Sequence, residues 1–98
     1  MSESQSKTSL NSLLLYIHKS LVDFLSQGYG EYTEDDKDKL ADLRGAIQVL
    51  MNFASEKKAR IIYEIAEDFE YAINHLNLAN FKAESGLDDA KEKIDKLT

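Results

Sequence analysis

Apolar residues recur along this chain in alternating steps of three and four, and that spacing restricts the fold more than any other feature. Leu10, Leu14, Ile17, Leu21 and Phe24 form one series, and Leu40, Leu43, Ile47, Leu50 and Ala54 a second. A third runs Ala59, Ile62, Ala66, Phe69, Ile73, Leu76 and Asn80, with Ile61, Ile65, Ala72 and Ala79 beside it. The last is Leu87, Ala90, Ile94 and Leu97. An α-helix turns once in 3.6 residues, so each series lies on one stripe, and such a stripe is stable only when buried against others. The chain has no proline, the residue that breaks helix interiors by removing a donor and clashing with the preceding turn. The spacing therefore predicts an all-α antiparallel four-helix bundle, with helices near 10–26, 34–54, 56–82 and 87–97.

Local signals set those boundaries. Residues 1–8 are polar and read as a flexible tail, with Ser9 as the first cap and 9–98 as a single domain. Gly28-Tyr29-Gly30 marks a turn. Thr33 with Asp36 three residues on has the form of a capping box, and acids in a first turn suit the positive end of the helix dipole. Ser55 is expected to end the second helix, and Ser85-Gly86-Leu87-Asp88 to cap the fourth. The third helix, ~40 Å at 1.5 Å per residue, is then the longest. Gly45 inside the second helix costs ~1 kcal/mol relative to Ala; a close approach of helices is one explanation, a tolerated cost the other.

Composition removes several classes of function. The net charge is −6, whereas nucleic-acid binding needs a basic patch that displaces counterions. The cluster Lys57-Lys58-Arg60 is followed at once by Glu64, Glu67 and Asp68. There is no cysteine, hence no disulfide, thiolate nucleophile or cysteine metal site. No stretch approaches the ~18 apolar residues that span a membrane, and the N-terminus lacks the apolar core of a signal peptide, so a cytoplasmic protein without membrane insertion is expected. A di-iron bundle needs Glu three residues before His, but Leu15 precedes His18 and Ala72 precedes His75. Asp35, Asp36 and Asp38 lack the alternation and the downstream Glu of a calcium loop. Gly28-x-Gly30 lacks the preceding strand and further Gly of a phosphate loop. Glu64, Glu67, Asp68 and Glu70 fall mainly off the apolar stripe and read as a solvated face. No metal, no cofactor and no enzymatic activity are expected.

The remaining signal is surplus apolar surface. Leu15 and Val22 lie one heptad apart, outside the first seam, with His18 and Leu25 between the two stripes. Tyr71 and Leu78 repeat the pattern in the third segment, with Tyr63 and Phe81 further around. Scattered surface apolars are normal, and another helix of the bundle can cover them. The functional alternative is a groove for a partner helix, with Leu15, Val22, Tyr71 and Leu78 as heptad-spaced anchors.

The run Phe69-Glu70-Tyr71, then Leu76, Ala79 and Asn80, resembles the third helix of the FliS-type flagellin export chaperones. Ser9 through Leu25 is similar to that family's opening: a Ser, a run of aliphatics, then Phe-Leu. The resemblance covers roughly residues 9–98. It departs at His18-Lys19-Ser20, where the family often has Tyr-Asp-Gly. The resemblance implies an antiparallel helical bundle that binds the disordered C-terminal segment of flagellin, or a like segment of another exported protein, and prevents premature assembly in the cytoplasm. Two other classes stay open: a bacteriocin-immunity-like bundle, and a structural bundle that covers its spare stripes by self-association, as in a homodimer.

Overall fold

The computed structural model describes residues 3–27 and 32–97, and of residues 3–9 the helical path alone. Four helices follow in chain order: α1 (Glu3–Gln27), α2 (Glu34–Lys57), α3 (Arg60–His75) and α4 (Asn80–Leu97). No strand occurs among the described residues. The all-α bundle required by the 3-4 spacing is thus the fold observed. The Gly28–Gly30 turn lies outside the described residues.

α3 is the hub. It packs along α4 on one side and α2 on the other, α1 closes onto α4 and touches α2 and α3 more sparingly, and α2 and α4 do not meet. The seams point inward: Leu14, Ile17, Leu21 and Phe24 from α1 meet Leu43, Ile47 and Leu50 from α2, Ile65, Phe69 and Ile73 from α3, and Leu87 and Ile94 from α4. Each such burial is worth roughly 1.5–3 kcal/mol against leaving the side chain in water. The bundle is 43 Å along its longest axis, close to the ~37 Å that 25 residues of α1 supply at 1.5 Å each.

The Thr33 capping box forms as expected. The Asp36 amide donates to Thr33 Oγ1 at 3.1 Å, and the Thr33 amide to Asp36 Oδ2 at 3.0 Å, which satisfies two amides that the helix start leaves without partners. Behind it, Phe24 and Tyr32 meet edge to face with centroids 5.6 Å apart. α2 runs past Ser55 to Lys57 and ends on Lys58, left-handed at φ 54°, whose N–H donates to the carbonyls of Ala54 and Ser55.

Three expectations need correction. α1 starts at Glu3, so the span expected as a polar tail is helical from that residue on. The third helix is not the longest: it stops at His75, and the segment read as one helix over 56–82 is two. The break sits at Asn77, left-handed at φ 63°, a conformation that Asn tolerates better than other non-glycine residues. Its amide donates to Asn80 Oδ1 at 2.8 Å, while the amides of Leu78 and Ala79 donate to the His75 carbonyl. Asn80 therefore opens α4 instead of closing α3. Finally, Ser85-Gly86-Leu87-Asp88 is no cap but lies within α4.

The two helical glycines also part company. A Cβ at Gly86 would stand 3.1 Å from the Asp68 carbonyl oxygen and 3.1 Å from Tyr71 Cδ1, so this residue lets α4 lie directly on α3. A Cβ at Gly45 would meet nothing within 4 Å; close helix approach does not explain it.

Candidate docking surface

The four anchor residues chosen from the sequence all reach solvent. Leu15 is 48% exposed, Val22 37%, Tyr71 43% and Leu78 78%. They do not share one surface. Val22 borders a hollow of about 340 Å³ between α1 and α4, walled by His18, Leu25, Glu84, Leu87 and Asp88. In the tautomer protonated at Nε2, His18 donates there to the Leu87 carbonyl at 3.2 Å and ties the two helices. Leu15, two turns before Val22, lies on the same side of α1 at 100° per residue. Leu78 sits in the α3–α4 corner, and the break at Asn77 removes it from the stripe it was expected to share with Tyr71.

Tyr71 belongs to a different feature, which runs the length of the α2–α3 seam. One hollow of about 490 Å³ at the α2–α3 corner has Ala54, Lys58, Arg60, Tyr63 and Glu67 in its walls. The next, about 390 Å³, shares Tyr63 and Glu67 and adds Met51, Glu70, Tyr71 and Asn74. A third, about 200 Å³, shares Glu70 and adds Arg44, Ile47, Gln48 and Ile73. Because neighbouring hollows share walls, they form one shallow groove. Its outer wall on α3 is Tyr63, Glu67, Glu70 and Asn74, a second series at 4-3-4 steps. That series was visible in the sequence but is polar, so a search for apolar seams passes over it.

The groove is acidic at its centre, where Glu67 and Glu70 share a wall. The Tyr71 ring stacks on His75 with centroids 4.2 Å apart, and the His75 Nδ1 lies 2.7 Å from the Tyr71 carbonyl oxygen. The Tyr71 ring also comes against Gly86 of α4. Arg44 at the far end donates from Nη1 to Asn74 Oδ1 at 2.8 Å. Four acids of α3 read from the sequence as one solvated face have separate fates. Asp68 accepts from Lys93 Nζ at 2.6 Å across the α3–α4 seam, with both side chains mostly buried. That hydrogen bond holds the Lys93 ammonium above its ordinary range, against the opposing effect of burial. Glu64 pairs with Arg60 at 3.2 Å. Glu67 and Glu70, both in the groove, form no ion pair among the described residues.

Among the described residues no three His, Asp or Glu side chains converge as metal ligands, and no helix is long and apolar enough to cross a membrane. The chain is thus an all-α bundle with a closed core and a shallow groove on one seam, mixed polar and apolar in its lining and acidic at its centre. No family model, curated protein or solved structure matches it.

Proposed function

We propose that this bundle works by binding rather than by catalysis: it holds an amphipathic, otherwise disordered segment of another protein. One observation carries this. The core is complete, yet ten large apolar side chains among the described residues, from Leu15 to Leu97, stay 36–78% exposed. Several border preformed hollows on two seams, and grooves between helices are where partner helices lay their apolar faces. The resemblance of Phe69–Asn80 to the flagellin export chaperones makes the C-terminal segment of flagellin the first client to test, with Tyr71 on the α2–α3 seam, or Leu15 and Val22 on the α1 side, as alternative anchors.

Calorimetry with a flagellin C-terminal peptide is the test. Binding is expected to bring a negative heat-capacity change from apolar burial, and circular dichroism should show the peptide gaining helix. A Leu15→Asp, Val22→Asp variant tells the two seams apart: weaker binding at an unchanged melting temperature puts the client on α1–α4, and unchanged binding puts it on α2–α3, since surface changes shift stability by about 0.5 kcal/mol or less. No heat of binding at about 100 µM peptide, roughly 5.5 kcal/mol of standard binding free energy, would sink the flagellin assignment. A variant that unfolds would put Leu15 and Val22 in the core.

A further inference from the structure

The α2–α3 groove carries more chemistry than a generic apolar cleft. Resting on the proposed function above, we infer that this groove is the docking site, and that it takes a basic amphipathic segment. In that complex an Arg or Lys lies between Tyr63 and Tyr71 against Glu67 and Glu70, with apolar side chains over Met51.

The charge pattern selects the occupant. Asp68 and Glu64 already have cationic partners, whereas Glu67 and Glu70 share a groove wall and have none among the described residues. The tyrosines on either side offer aromatic faces, which attract guanidinium and ammonium groups. Carboxylates and rings thus favour the same ligand group independently. Tyr71 already rests on His75 and against Gly86 of α4, which lowers the cost of ordering it on binding. The Glu67–Glu70 spacing matches basic residues three or four apart on a partner helix. Cations lie toward both ends of the groove, Lys58 and Arg60 at the corner and Arg44 on Asn74 in the same hollow as Glu70, which favours the stretch between Tyr63 and Tyr71 for the partner's basic pair. From Arg60 to Asn74 the wall spans ~21 Å, about four turns of helix. A second copy of this chain is the poorer fit: at net charge −6 two copies repel as they approach.

The test uses the full chain and two synthetic amphipathic peptides of about 16 residues, identical except that two central Arg residues four apart become Glu in the second. In a two-dimensional NMR titration, the Arg peptide is expected to shift the amides of Met51, Tyr63, Glu67, Glu70 and Tyr71. The Glu peptide should bind at least about tenfold more weakly. Glu67→Gln with Glu70→Gln should weaken the Arg peptide by a similar factor and leave the melting temperature unchanged. Raising ionic strength from about 0.05 to 0.5 M should weaken it as well. Equal affinity of the two peptides, or no binding by either, overturns the inference. So does a shift pattern centred on Leu15 and Val22, which moves docking to α1–α4 while the helix-binding function stands. Concentration-dependent shifts of the same groove amides without peptide would make a second copy the occupant and overturn it too. The flagellin assignment is decided separately, by the calorimetry.

Discussion

Alanine placed at the two helical glycines should change stability in opposite directions. Both positions lie inside helices, α2 for Gly45 and α4 for Gly86, so each substitution gains the same helix propensity, about 1 kcal/mol. At Gly45 the new methyl meets nothing within 4 Å, and that gain stands alone. At Gly86 it would lie 3.1 Å from the Asp68 carbonyl oxygen and from Tyr71 Cδ1. The carbonyl is α3 backbone, so relief requires moving α4 away from α3, and overpacking of this kind costs roughly 1–3 kcal/mol. Gly45→Ala is therefore expected to stabilise by about 0.5–1 kcal/mol, and Gly86→Ala to destabilise by about 0–2 kcal/mol once its propensity gain is subtracted. For a domain of this size 1 kcal/mol moves the melting temperature by about 4–8 °C. Urea titrations of both variants, followed by helix ellipticity with a common slope, separate the two outcomes. Should Gly86→Ala stabilise as much as Gly45→Ala, the direct contact of α3 and α4 would be refuted.

Phe69, fully buried in α3, should cost about 3–5 kcal/mol on truncation to Ala; a melting temperature within a degree or so of wild type would show that it is not core. Lys58→Gly should stabilise by about 1 kcal/mol, because Lys58 is left-handed at φ 54° and a side chain costs about that much in this conformation; urea unfolding reads it directly. Alkaline pH should weaken the fold through two groups. The hydrogen bond to Asp68 raises Lys93 above its ordinary 10.5, and burial first, then the Asp36 carboxylate, raises Tyr32 above 10.0. In both cases the folded chain holds the proton more tightly than the unfolded one. Their contribution is therefore complete below those ordinary values and is lost as pH climbs through the folded ones. Melting curves between pH 9 and 12 should show that decline, and a Lys93→Met, Tyr32→Phe variant should flatten it; an unchanged slope would refute it.

The periodicity carried most of the fold. Leu14, Ile17, Leu21, Leu43, Leu50, Phe69 and Ile94 are all buried, because a stripe at 3-4 steps has few other places to go. What it could not convey was where a helix stops when the apolar rhythm continues. Leu76, Ala79 and Asn80 keep the beat of α3, but Asn77 turns left-handed and Asn80 accepts its amide, so a backbone preference overrides the pattern. Gly86 misled in the same way. Beside Ser85 it reads as punctuation, although a glycine inside a helix also marks where a second helix comes closest. Exposure of the chosen anchors was legible, since they lie off the seams. Their separation onto different surfaces was not, because it depends on which helices are neighbours.

The uneven packing of the four helices has a consequence for how the molecule breathes. α2, α3 and α4 form two sequence-adjacent hairpins that share α3, whereas α1 is held chiefly by α4, distant in the chain, and only lightly by α2 and α3. Cooperative units open in order of the contacts that hold them. The amides of α1 should therefore exchange with deuterium ahead of those in the α3 core. The groove on the α2–α3 seam would then keep its shape through excursions in which α1 swings away, and α1 need not be docked for that seam to be occupied.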